Sequence, residues 1–255
     1  MVTNTNDSGE GSLRAAIEDS GTTSINIDIK GNGIININSS LEFAGDGPLT
    51  ITGDGNGKRP TIKGGDFDLL KVTSDLTVKN VNFEGQGGFS IYSQSTEPIP
   101  GKGIYVDIPD DATGVIKVEL EDVQVSNVAN HGVHISDCSS ETCGNGNTGE
   151  GQGSDASVHL VLKNVVVSNV GQGKFDGDGV RVDERGPGKF AHEIPHYYLI
   201  HATANLLKSL SIKVILYSRQ KVLLLKTVEQ TVLSLMKLEK VRLPLSLCLC
   251  LSSTI

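Results

Sequence analysis

Four carboxylates crowd one short stretch of this chain. Asp176, Asp178, Asp183 and Glu184 stand with Arg181 and Arg185 in the segment FDGDGVRVDER. Asp176 and Asp178 alternate with glycine, and clustered hard oxygens of this kind are what Ca²⁺ takes as ligands. The competing reading is a solvated turn that recurs along the chain. Three histidines, His131, His134 and His159, are the other groups suited to acid–base or metal work. His131 and His134 are three residues apart and so cannot share one face of a strand. The expectation for them is surface positions on turns. A G-x-G-x-x-G string begins at Gly144, but no helical pattern follows it, so a phosphate cradle is not indicated. No nucleophile elbow, zinc-ligand spacing or triad signature occurs.

Cys138 and Cys143 flank the polar stretch CSSETC. They are either two free thiols on a loop or a small disulfide that clips it, and the second requires an oxidising compartment. Cys248 and Cys250 fall in a part of the chain that differs from the rest. All 30 glycines lie at or before Gly188, and no Asp follows Asp183. Residues 1–188 carry a net charge of −14 and residues 189–255 a net +6. The acidic front argues against nucleic acid as a partner, because such partners demand a basic surface.

These groups must be positioned by strands. SINIDIK from Ser24, GIININ from Gly33 and LTITG from Leu49 each alternate an aliphatic with a polar residue. Gly, Asn and Asp clusters such as GDGNGKRP separate them. The one helical pattern is SLRAAIEDS, with Ser12 as N-cap and Leu13, Ala16 and Ile17 on one face. Aromatic content is only 4%, with no Trp, which suits a narrow tube of stacked aliphatics better than a globular core.

An internal repeat decides the architecture. LTVKNVNFEG from Leu76, VELEDVQVSN from Val118 and LVLKNVVVSN from Leu160 align at a spacing of 42 residues. Val78, Leu120 and Leu162 are equivalent and are expected to stack inward. Asn80, Asp122 and Asn164 are expected to stack at a bend, where their side chains bond to the turn backbone. Each copy is followed by a glycine-led strand: GFSI from Gly88, GVHI from Gly132, GVRV from Gly179. The expected fold is all-β, a right-handed parallel β-helix solenoid with a short N-terminal helical cap. Residues 1–23 form the cap, 24–190 the β-helix, and 191–255 a non-native tail.

The opening VTNTNDSGEGSLRAAIEDS resembles the start of many bacterial secreted parallel β-helix proteins of the pectate-lyase-like type. INIDI, GIININSSLEF, PLTITGDG and LTVKNVNFEG are also similar to that family, over residues 2–188. The resemblance implies export, whereas Met1 leads directly into polar residues, so the expectation is that the true start is missing. The resemblance also implies, for its enzymes, Ca²⁺ bound by carboxylates and a basic residue that takes a proton α to a carboxyl group. Asp176, Asp178, Asp183 and Glu184 are the best match to such a calcium site, the only cofactor indicated. Sequons at Asn6 and Asn38 would be idle in a bacterium.

The tail is rich in Leu and Lys, and its apolar runs are too interrupted for a membrane span. A basic amphipathic helix is one reading. Codon constraints offer another. Across Lys226 to Val241, the neighbouring reading frame permits D-G-x-x-x-D-E-x-G-x-G, the pattern visible at Asp178 to Gly188. The expectation is a base lost or gained between about Gly188 and Leu207, with further coils encoded beyond. Function is expected to be that of a secreted or cell-surface module with a structural or adhesive role, in contact with polysaccharide or cell-surface components. The alternative is a polysaccharide lyase or hydrolase.

Overall fold

The computed structural model describes residues 2–18, 25–29, 33–45, 47–53, 59–87, 100–143, 151–171 and 177–193. The chain winds so that one strand of every turn joins each of three parallel sheets. The first sheet stacks β1 Ile25–Ile29, β4 Leu49–Gly53, β7 Leu76–Lys79, β10 Val115–Glu121, β13 Ser157–Lys163 and β16 Phe190–Glu193. The second stacks β2 Ile34–Asn36, β5 Thr61–Lys63, β8 Asn82–Glu84, β11 Gln124–Ser126 and β14 Val166–Ser168. The third stacks β3 Leu41–Phe43, β6 Leu70–Val72, β9 Ile104–Asp107, β12 Val133–Ser136 and β15 Val180–Asp183. Strictly parallel pairing between successive turns makes this a parallel β-helix.

Alternation explains the core. In a strand every second side chain points the same way, so an in-register stack sends whole columns of aliphatics inward. Ile51, Val78, Leu120 and Leu162 form one such column, and Leu49, Leu76, Val118 and Leu160 the next. Ile35, Ile62, Phe83, Val125 and Val167 fill the second sheet's inner face. The third sheet adds Leu41, Leu70, Ile104, Val133 and Val180. All are buried.

The bends hold the expected amide column. Asn80, Asp122 and Asn164 have φ of 55°, 54° and 51°, a left-handed conformation that Asn and Asp tolerate best after glycine. The Asn164 amide donates to the Asp122 carboxylate across the coils. Asn127 and Asn169 repeat the device after the second sheet, with Asn169 Nδ2 donating to Asn127 Oδ1 at 3.1 Å.

One helix, α1 Leu13–Glu18, lies at the N-terminal end, with Leu13 and Ile17 buried against the core. Ser12 caps it: its Oγ accepts the Ala15 N–H at 3.1 Å. The glycine-led strand of the middle coil differs from the expectation. Gly88 and the rest of GFSI lie outside the described residues, and the strand paired with GVHI is β9, led by Gly103. Gly103 and Gly132 are required there, because a Cβ on either would meet the next coil's carbonyl at 2.6 Å. Beyond Gly188, β16 still pairs with β13 and places His192 in the inward column of Leu160. Of the expected out-of-frame tail, 191–255, residues 191–193 belong to β16 and residues 194–255 lie outside the described residues.

Candidate functional site

The outer face of the third sheet carries three polar columns produced by the same register. Glu42, Lys71, Tyr105, His134 and Arg181 follow one another across the five coils. Asp107, Ser136 and Asp183 form a second column two residues further along their strands. Two residues before the paired Leu70, Ile104, Val133 and Val180 stand Asp68, Lys102, His131 and Asp178.

Both histidines expected at the surface are instead fully buried, and they meet. The ring centroids of His131 and His134 lie 5.0 Å apart, edge to face. They meet because only His134 is on the strand; His131 belongs to the turn before it, where the chain bends and strand alternation no longer applies. His134 stacks on Tyr105, centroids again 5.0 Å apart. His159, on β13, is partly exposed and lies 3.5 Å from Glu193.

The hydrogen bonds fix the protonation of His131. Its Nδ1 accepts the backbone N–H of Asp178 at 2.8 Å, so that nitrogen carries no proton and the ring is neutral. Burial first, then the positive charges of His134, Arg181 and Lys102, push its pKa well below the ordinary histidine value. His134 Nε2 lies 2.8 Å from Asp183 Oδ2, which also accepts Arg181 Nε at 2.8 Å. Burial alone would raise the Asp183 pKa, but the His134 hydrogen bond and the charge and hydrogen bond of Arg181 outweigh it and hold it down at about 2. His134 Nδ1 is buried with no hydrogen-bond partner among the described residues.

Lys71 and Asp107 form an ion pair at 2.8 Å. Asp107 also accepts the Tyr105 hydroxyl at 2.9 Å and both the N–H and the hydroxyl of Ser140 at 2.7 Å. Ser140 opens the short helix α2 Ser140–Cys143, so the column is tied to the loop that follows β12. Lys102 is 2% exposed, lies 4.5 Å from the Tyr105 ring centroid and is 3.8 Å from Asp68. Burial lowers its pKa, opposed by the charges of Asp68 and Asp107. The face therefore holds a desolvated lysine in register with a neutral histidine. Groups of that kind can accept protons, and the surrounding side chains leave them shut from solvent.

Of the four carboxylates expected to hold Ca²⁺, three belong to the described residues. Asp176 lies outside the described residues. Asp178 and Asp183 both face Arg181, at 3.7 and 2.8 Å, so a cation of the chain's own occupies the space between them. Glu184 follows the end of β15 and lies beside Asp137 instead. Among the described residues no group of three or more His, Cys, Asp or Glu side chains is placed to hold a metal ion. Cys138 and Cys143 form a disulfide that closes α2, and Arg185 reaches the Cys143 sulfur at 3.1 Å. Sequence reasoning missed Lys71, Lys102, Tyr105 and Asp107. Their common signal is register: each stands where a neighbouring coil also places a polar group. No family model, no curated protein and no solved structure matches this chain. No described helix is long and apolar enough to cross a membrane.

Proposed function

We propose that this chain is a secreted or cell-surface β-helix module with a structural and adhesive role, contacting polysaccharide along the outside of the solenoid. The observation that carries the reading is the self-contained third face. Its charges neutralise one another within and between coils, which suits a rigid rod better than an open catalytic cleft. The Cys138–Cys143 disulfide supports an oxidising location. Kinship with the bacterial pectate-lyase-like proteins, and further coils in the neighbouring reading frame, belong to the same proposal. The test is retention of the purified chain on a panel of immobilised neutral, acidic and amino-sugar polysaccharides. Retention on none of them sinks the adhesive reading.

A second reading has its own observation. Lys102, His131 and Tyr105, with Arg181 near them, bring a proton acceptor, a donor and a cation together from adjacent coils. That is the inventory of a polysaccharide lyase or hydrolase, and catalysis on a polymer would require this face to open, because all three side chains are buried. Incubation with polyuronates and neutral glycans tests it. New unsaturated or reducing ends that vanish in Lys102→Ala would establish catalysis, and unchanged polymer would leave the structural reading alone.

A further inference from the structure

A pocket of about 480 Å³ opens where α1 meets the first coils. Arg14 and Glu18 come from the helix, Asn38 and Ser40 from the turn after β2, Glu42 from β3, and Phe67 from the turn before β6. That volume is within the roughly 300–1,000 Å³ usual for small-molecule sites.

Its walls are fixed. The Arg14 guanidinium donates to Asp7 at 2.8 Å, to the Ser40 carbonyl at 2.8 Å and to the Ser39 carbonyl at 2.9 Å. Its charge and its donors are thus turned toward the protein. Asn38 is held by Asp7 through both its backbone N–H and its side-chain amide, each at 3.3 Å, which leaves its carbonyl oxygen as an acceptor. Phe67 packs on the core as a platform. Gly64 and Gly65 make room for its ring: a Cβ at Gly64 would lie 2.9 Å from it and one at Gly65 3.4 Å. Glu18 and Glu42 are exposed and form no ion pair among the described residues; Lys71, in register beside Glu42 on the next coil, is paired with Asp107 instead.

An aromatic platform beside two carboxylates and an amide oxygen is matched by a sugar whose apolar face covers the ring and whose edge donates hydrogen bonds. The sign of the charge selects among sugars. With Arg14 already paired, the pocket is acidic, so it repels a uronate and favours an ammonium group, which the ring face also attracts. We infer that this pocket is a subsite for an amino-sugar unit of a glycan, recognised by Phe67, Glu18, Glu42 and Asn38. The inference rests on the reading of the molecule as a glycan-contacting module and names where, and with what chemistry, one contact is made.

The experiment is calorimetric titration of the full chain with a glucosamine tetramer, and separately with an oligogalacturonate of equal length. Phe67→Ala and Glu42→Gln are titrated alongside, with thermal melts to confirm that each is folded. The expected result is binding of the glucosamine tetramer, weakened about tenfold or more in each variant, and no effect of either variant on any oligogalacturonate binding. Glu42→Gln keeps the shape of its strand, so it remains informative should Phe67→Ala not fold. Glucosamine binding that is unchanged in the variants overturns the assignment of the pocket. Binding of oligogalacturonate alone overturns the amino-sugar site and leaves the polysaccharide-contacting function standing. Binding of neither overturns the amino-sugar site, and the glycan-contacting function is then decided by the polysaccharide panel.

Discussion

Glu184 and Asp107 are two buried acids whose surroundings act in opposite directions, and pH separates them. Glu184 has no hydrogen-bond donor among the described residues, and burial, followed by the neighbouring Asp137 carboxylate, raises its pKa to about 8. Such a group takes up a proton on folding. Its contribution is complete below the unfolded value of 4.5 and is lost as pH rises through about 8. Glu184→Gln cannot titrate, so it should outlast the parent by about 2 kcal/mol near pH 9 while differing little at pH 4. Urea unfolding at the two pH values reads this directly; equal differences at both would show that Glu184 is not the titrating group. At Asp107, burial opposes ionisation, but Lys71 and Ser140 overcome it and the pKa is lowered. Its contribution is present above the unfolded value of 3.8 and disappears as pH falls through the lower folded one. Asp107→Ala would strand the Lys71 ammonium and the Tyr105 hydroxyl, a loss of about 3–5 kcal/mol at neutral pH. An Asp107→Ala chain as stable as its parent would mean that the third face is held by something other than this pair.

The strand and the bend are the elements whose structure is written most plainly in the sequence. LTVKNVNFEG, VELEDVQVSN and LVLKNVVVSN disclosed both period and register, because an inward aliphatic and a left-handed amide each leave a residue-type signature. The disulfide stayed open, since its bonding depends on whether the intervening turn closes, and here α2 brings the two Cα atoms to 5.8 Å. The burial of His131 and His134 was not legible at all. Outer-face polarity marks solvent in most strands, and only the pairing of Tyr105, Asp183 and Lys102 from other coils removes them from it. The calcium set is only partly visible: Asp176 lies outside the described residues, Asp178 and Asp183 face Arg181, and Glu184 lies beside Asp137. The bends give their own prediction. Asn164→Gly keeps access to the left-handed conformation and loses only the bond to Asp122. Asn164→Ala loses the bond and adds strain of about 1 kcal/mol. Chemical denaturation should therefore rank parent, glycine variant, alanine variant. Alanine equal to glycine would remove backbone conformation from the explanation.

A solenoid is held together by nearest-neighbour contacts, so where a lesion falls matters as much as its size. Leu120 is fully buried between Val78 and Leu162 in the interior coils, with neighbours on both sides to keep the cavity dry. Leu120→Ala should lower stability by about 2–5 kcal/mol and leave the association state of the parent unchanged. Leu13 is as deeply buried, but it belongs to α1, which covers the first end of the core and sits against β1 and β3. Leu13→Asp places a charge under the cap and releases it, exposing inner aliphatics such as Leu41 and the unpaired edge of the first strands. Those edges present the same parallel template that every interior coil already pairs with. The cap lesion should therefore be read out as association rather than as a lowered melting point. Light scattering of the two variants at matched concentration separates the cases. A monomeric Leu13→Asp would show that α1 is an ornament on a coil that ends well by itself. Growing oligomers would show that the cap is what keeps the stacking of one chain from continuing into the next.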